Sequence, residues 1–246
     1  MKIVGILCEY NPLHLGHAKQ ISTIRTASGE ETAIVCLMSG NFVQRGSPAV
    51  FDKMLRARSA LEAGADLVLE LPVQYALSSA EGFAAGAVSI LGTFCDEMSF
   101  GAEHPDREAL MTTASALLSP AFPAHLRRHL DTGLSFPAAR ARALADMGTD
   151  NALLSSPNDI LAVEYCKAIL SQNSPMAPAP IRREGGYHDA QADPENPSAT
   201  ALRALIENGK NFRSFVPTDL FDTAEVHTLA YGEKAILARL RIMTDA

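Results

Sequence analysis

The segment Lys2-Ile3-Val4-Gly5-Ile6-Leu7-Cys8-Glu9-Tyr10-Asn11-Pro12-Leu13-His14-Leu15-Gly16-His17 decides the fold. Up to Cys8 it is a short apolar run rich in β-branched residues, the pattern of a buried strand. Asn11-Pro12 is a turn signal, and a helix is expected to begin near Gly16. The same alternation continues outward. Ala33 to Met38 reads as a second buried strand, and Gly40 to Pro48 as a loop with two glycines and a proline. Asp52 to Ala63 has helical spacing, with Met54, Leu55, Ala57 and Leu61 as its apolar positions. Asp66 to Leu71 forms a third strand, stopped by Pro72. Ser78 to Leu91 is a helix rich in Ala and Gly, and Glu97 to Phe100 a fourth strand ending at Gly101.

Strands alternating with helices imply βαβ units and a parallel sheet covered on both faces, so the expected class is α/β. Ligands in such sheets lie beyond the carboxyl ends of the strands, where strand order reverses. That puts Glu9 to His17, Ser39 to Arg45 and Gly101 to His104 on one rim. Asp106 to Met147 is helical and rich in alanine and arginine, and reads as a helical insertion over about 106–150. Asn158 to Leu170 is an amphipathic helix entered through Ser155-Ser156-Pro157. Pro178 to Arg182 supplies a fifth strand, Gly185 to Pro197 a polar loop and Ser198 to Asn208 a helix. The main domain is expected over 1–210. Residues 211–246 read as the start of a helical C-terminal region, with a helix around Glu233 to Met243.

Composition narrows the class. The 246 residues are 47% hydrophobic and 20% charged, ordinary for a soluble globular protein. The longest apolar runs are too short to span a bilayer, and no leader segment is evident, so a cytoplasmic protein with no membrane partner is expected. Cys8, Cys36, Cys95 and Cys166 form no C-x-x-C pair and are expected to be reduced and buried. The net charge of −7 argues against a free-standing nucleic-acid binder.

Four constellations carry chemistry. His14-Leu15-Gly16-His17 opens a helix directly after a strand, where backbone N–H groups and the helix dipole favour phosphate. Gly16 lets a nucleotide lie against the backbone. His14 and His17 can donate hydrogen bonds to phosphoryl oxygens as charge builds in the transition state. The bland alternative is a pair of polar capping histidines. A metal site is a third reading, but carboxylate or cysteine partners at ligand spacing are missing, so no protein-held metal is expected. Ser198-Ala199-Thr200-Ala201-Leu202-Arg203 starts a late helix, where hydroxyls can cap and also meet phosphate, with Arg203 in reach of the same anion. Ser39-Gly40-Asn41-Phe42-Val43-Gln44-Arg45-Gly46 suits a substrate pocket, and Arg45 can hold a carboxylate or phosphate; a plain connecting loop is the alternative. Ile181-Arg182-Arg183-Glu184-Gly185-Gly186-Tyr187-His188 carries paired arginines able to clamp polyphosphate, or simply to face solvent.

Together these residues resemble the H-x-G-H nucleotidyltransferase superfamily. Its members share a Rossmann-like sheet, the histidine motif after the first strand and a late I-S-x-T-x-x-R-like motif, here Pro197 to Arg203. The chain is most similar to one branch, the tRNA(Met) cytidine acetate ligases of bacteria. The similarity rests on Glu9 to His17, Met38 to Gly46 with Pro48 and Asp52-Lys53, Asp66 to Pro72, and Ser79-Ala80-Glu81. Phe100-Gly101, Pro157 to Leu161 and Gly186-Tyr187-His188-Asp189 extend it. The resemblance implies activation of acetate by ATP to acetyl-adenylate, then acetylation of N4 of the wobble cytidine of elongator tRNA(Met). It implies an ATP cradle from Leu7 to Gln20, including Glu9, Tyr10, Asn11, Pro12, His14, Gly16 and His17. His14 and His17 would stabilise the α-phosphate. Gly101, Asn158 and Arg183 would contact the nucleotide, and Ser198, Thr200 and Arg203 the departing β,γ-phosphates. Ser39, Asn41 and Arg45 are assigned to acetate, and Mg²⁺ is expected on the polyphosphate. Family members continue into a helical C-terminal part that helps hold tRNA, so the chain is expected to lack that part. Two other readings remain: an adenylyltransferase acting on a small phosphorylated metabolite, and a nucleotide-binding module without turnover.

Overall fold

The computed structural model describes residues 1–183 and 198–243. The loop from Gly185 to Pro197, with the Gly186 to Asp189 run, lies outside the described residues. Five strands form one sheet: β1 (Ile3–Cys8), β2 (Ala33–Ser39), β3 (Leu67–Leu71), β4 (Glu97–Ala102) and β5 (Ala177–Arg182). Their order is β3-β2-β1-β4-β5, and every pairing is parallel. β1 is central because both of its faces are apolar, with Gly5 opposite Val35 on one side and Met98 on the other. β4 does not stop at Gly101 as its sequence suggests. Gly101 and Ala102 continue the ladder against Ile181 and Arg182 of β5.

Helices cover both faces, completing the expected Rossmann-like α/β architecture. On one face α1 (Leu15–Ser28) and α2 (Lys53–Glu62) bury Ile21, Ile24 and Ala60 against Val4, Ile6 and Cys36. On the other, α4 (Ala80–Leu91), α5 (Arg107–Leu118) and α8 (Pro157–Ser171) pack Phe83, Leu91, Leu110, Ala114 and Val163 against Val35, Leu37 and Met98. The short α3 (Val73–Ala76) lays Tyr75 over Gly86, so close that a Cβ there would fall 2.2 Å from Tyr75 Cγ. α6 (Phe122–Leu130) and α7 (Phe136–Asp146) follow α5, which itself contributes to the main core. α9 (Ala199–Glu207) and α10 (Leu229–Ile242) complete the described chain.

One helical face departs from its sequence reading. α2 leaves Met54 (70%) and Leu61 (46%) exposed and buries Arg56, Ser59 and Ala60 instead. Small Ser59 and Ala60 let the helix approach the sheet, and Arg56 is accepted inside because its guanidinium meets carbonyls on every side. A further cluster joins Phe51 to Val50, Ile206, Val216 and Phe221, with the Phe51 and Phe221 rings stacked at 4.7 Å. It fastens the segment after β2 to α9 and the chain beyond. All four cysteines are buried and free. Among the described residues no helix is long and apolar enough to cross a membrane.

Candidate active site

The site is built where strand order reverses, between the carboxyl ends of β1 and β4. Past Cys8 the chain turns sharply. Tyr10 takes a left-handed backbone conformation, φ 44°, which costs a residue carrying a Cβ about 1–2 kcal/mol. Its buried ring lies 4.9 Å from that of His17, and its hydroxyl meets Cys36 Sγ at 3.4 Å. Asn11 ties three segments together. Its Oδ1 accepts from Val50 N at 2.8 Å, and its carbonyl accepts from Arg203 Nη1 at 3.1 Å.

The two histidines both cap the start of α1. His14 is the N-cap of α1, and its Nδ1 accepts from Gly16 N at 3.1 Å. His17 Nδ1 accepts from His14 N at 3.3 Å, and the two rings lie 3.8 Å apart. With both Nδ1 atoms accepting, each neutral ring must carry its proton on Nε2. Burial holds both rings neutral. It pushes His14 down to about 3, helped by the positive charges of Arg183 and Arg203. His17 is pushed well below its ordinary value by burial, then by His14 and Arg183. His14 Nε2 is buried with no hydrogen-bond partner among the described residues. A buried donor left unpaired costs about 1–3 kcal/mol, so this atom has a hydrogen bond to offer. Both histidines do cap the helix start, and the caps spend Nδ1 and leave Nε2.

A cleft of about 350 Å³ opens over these rings. It gathers most of the sequence-predicted nucleotide residues: Leu7, Glu9, Tyr10, Asn11, His14, Gly16, His17 and Gln20 from the β1–α1 turn, Gly101 from β4, Asn158 from α8, then Arg183 and Arg203. Among the described residues, five cationic side chains line it, Lys19, Arg45, Arg182, Arg183 and Arg203, against the single carboxylate of Glu9. Its inner wall is apolar, with Phe83, Phe100, Leu161 and Tyr165. Polyphosphate and a planar base together require such a division.

Some predicted residues stand back from the cleft. Pro12, Ser198 and Thr200 are not in its lining. Ser198 Oγ caps α9 by accepting from Ala201 N at 3.1 Å, and Thr200 Oγ1 accepts from Arg203 Nη2 at 3.0 Å. Of the acetate trio only Arg45 lines the cleft. Asn41 is exposed, its Oδ1 accepting from Lys53 N at 3.4 Å. Ser39 is fully buried, its Oγ unpartnered among the described residues and its carbonyl taken by Arg56.

Arg56 itself carries no recognisable motif. Its guanidinium donates to the carbonyls of Phe51, Glu9, Ser39 and Gly40, clamping the ends of β1 and β2. Burial lowers its pKa from the usual guanidinium value. Lys19 and the apolar wall were equally silent, because a lone lysine on a helix and buried aromatics have ordinary structural uses.

This geometry has counterparts. The family profile described as HIGH Nucleotidyl Transferase matches residues 1–241. The chain belongs to the HIGH nucleotidyltransferase family. Among family relatives, a tRNA(Met) cytidine acetate ligase of Clostridium novyi is 41% identical over 234 residues, covering 90% of this chain and 58% of the relative. A protein of the same name from a Geobacillus species is 38% identical over 241 residues, 94% of this chain and 60% of its own. Two crystal structures of Thermotoga maritima TmcAL, 35% identical, superpose over 96% of this chain. The apo form gives a TM-score of 0.83 over 57% of its chain, and the form bound with alpha-thio ATP 0.79 over 56%. The chain thus spans 56–60% of the length of these HIGH-family relatives.

Proposed function

We propose that the protein activates acetate with ATP and passes the acetyl group to N4 of the wobble cytidine of elongator tRNA(Met). The observation that carries the reading is the pair of fixed Nε2–H donors at the head of α1, one of them without a partner among the described residues, inside a cation-rich cleft. The ligase names of the relatives and the alpha-thio ATP bound by the Thermotoga protein support it.

In the activation step an acetate oxygen attacks the α-phosphorus of ATP, the bond to the β-phosphate bridge breaks, and pyrophosphate departs with the electron pair. Charge builds on the α-phosphoryl oxygens. Neutral donors meet it without the cost of desolvating a cation, so His14 and His17 contribute most in the transition state. Arg183 and Arg203 offset the leaving pyrophosphate, and the α1 N-terminus adds its dipole. In the transfer step the cytidine N4 attacks the acetyl carbonyl carbon, AMP leaves and N4 loses a proton. The reading assigns Ser39, Asn41 and Arg45 to the acetate side, with Arg45 alone facing the cleft. It also assigns Pro12, Ser198 and Thr200 supporting roles through the turn and the α9 cap.

Magnesium fits as an ion carried mainly by phosphate oxygens. It keeps several waters and needs only one or two carboxylates, and Glu9 is the one carboxylate in the described cleft lining. When bound there it supplies charge neutralisation on the polyphosphate. The test is exchange of labelled pyrophosphate into ATP. The reading expects exchange that depends on acetate. Exchange that ignores acetate and needs a phosphorylated metabolite overturns it.

A further inference from the structure

Glu103 lies outside the cleft lining, directly after β4, yet its carboxylate determines what the cleft presents. Its Oε1 accepts from Asn158 Nδ2 at 2.7 Å and its Oε2 from Asp159 N at 3.0 Å. Asn158 then turns its Oδ1 to accept from Arg183 Nη1 at 3.1 Å. A carboxylate can only accept and a guanidinium can only donate, so this order leaves the Asn158 amide a single orientation. The next residues repeat the latch. Fully buried Asp159 accepts from His104 N at 3.0 Å through Oδ1 and meets His104 Nδ1 at 2.7 Å through Oδ2. Ser156, the N-cap of α8, makes no side-chain cap bond, so Glu103 also serves that helix start from outside.

We propose that Glu103 is a positioning residue for the nucleotide site, acting through the Asn158 amide on Arg183. Asn158 and Arg183 both line the cleft, and Arg183 is close enough to His14 and His17 to lower the pKa of each. The line Glu103–Asn158–Arg183 therefore ends where phosphate is bound on the reading above, on which this assignment rests. Replacing Glu103 by Gln breaks the order of donors and acceptors. The new amide must turn its NH₂ toward either Asn158 Nδ2 or Asp159 N, both donors. If Asn158 flips to relieve this, its own NH₂ faces the Arg183 guanidinium.

The experiment is a double-mutant cycle on ATP affinity by calorimetry, with thermal unfolding measured alongside so that binding is read on folded protein. Glu103→Gln is expected to weaken ATP binding about tenfold, the scale of one hydrogen bond to a charged group. In an Asn158→Ala background the same change is expected to shift affinity less than about twofold, because its effect has no carrier left. An equal loss in both backgrounds overturns the assignment, as does unchanged affinity in Glu103→Gln. Should Glu103→Gln not fold, Glu103→Asp keeps the charge over the α8 start but draws it back by one methylene. It is expected to lose affinity in the same direction, and full affinity there overturns the assignment. A wild-type chain that binds no ATP overturns the nucleotide reading and this assignment together, whereas wild-type binding that survives the substitution overturns the assignment alone.

Discussion

His14 caps α1 with Nδ1 and, on the proposed reading, serves phosphate with Nε2, and the two jobs can be separated. Asparagine is as good an N-cap as the helix start needs, but it has no donor where Nε2 stands. His14→Asn is therefore expected to keep α1 and lose the phosphate contact. Exchange of pyrophosphate should fall by about 10²–10³-fold, the size of one oxyanion donor, with little change in the KM for ATP. A proportionate rise in KM at unchanged kcat would show a ground-state role instead. The same ring makes a pH prediction. Its folded-state pKa is about 3 against an ordinary 6.5, so below about 6.5 the unfolded chain binds a proton that the folded chain refuses. The stability tied to neutral His14 is fully present above that pH and is lost as pH falls toward about 3, by up to about 1.4 kcal/mol per pH unit. Urea midpoints at pH 7, 6 and 5 should show the gap between wild type and His14→Asn shifting in favour of the variant as pH falls. Parallel curves would contradict a buried neutral ring. The sequence singled out His14 and His17 because two histidines around a glycine at a strand-to-helix turn have few other uses, and folding brings both rings to the cleft. It could not disclose Arg56 or Glu103, whose partners are carbonyls and amides brought together only by folding.

At the scale of elements, the strands were legible because short apolar runs bounded by Asn, Gly and Pro have one economical reading in a parallel sheet. α2 was harder. Its pattern counts Met54 and Leu61 as core, whereas packing selects Ser59, Ala60 and a fully bonded Arg56. Periodicity reports hydrophobicity and not which face a helix can bring close to a sheet. α4 shows the same principle from the other side. Its Gly86 is there for contact, with Tyr75 Cγ, Cδ1 and Cβ at 2.2, 2.5 and 2.7 Å from a Cβ added at that position. Alanine gains about 1 kcal/mol of helix propensity over glycine, but overpacking costs about 1–3 kcal/mol. The clashing atoms are the base of the tyrosine and not a mobile tip, so overpacking wins. Gly86→Ala is expected to destabilise the protein by up to about 2 kcal/mol in urea denaturation, and a stabilised variant would mean that α3 shifts freely.

At the scale of the molecule, the distribution of charge matters more than its sum. The chain carries a net −7, yet five cationic side chains converge on one cleft. A low-dielectric wall behind them concentrates their field on a polyanion while the outer surface repels one. Among the described residues the lining comes from β1, the β1–α1 turn, α1, the segment after β2, α4, β4, α8, β5 with Arg183 just after it, and α9. Both faces of the sheet that carries them are covered by their own helices. Nucleotide binding and the exchange reaction should therefore need no RNA. Ligand binding to the folded state adds about 2.7 kcal/mol at a hundredfold excess over Kd, and a protein of this size gains roughly 2–4 °C in Tm per kcal/mol. ATP at that excess is expected to raise the Tm by about 5–10 °C without tRNA, and elongator tRNA(Met) should leave the acetate-dependent exchange rate unchanged. Exchange that begins only on adding the tRNA would mean that the cleft is completed by RNA, and the five cations would then serve the tRNA backbone as well as the nucleotide.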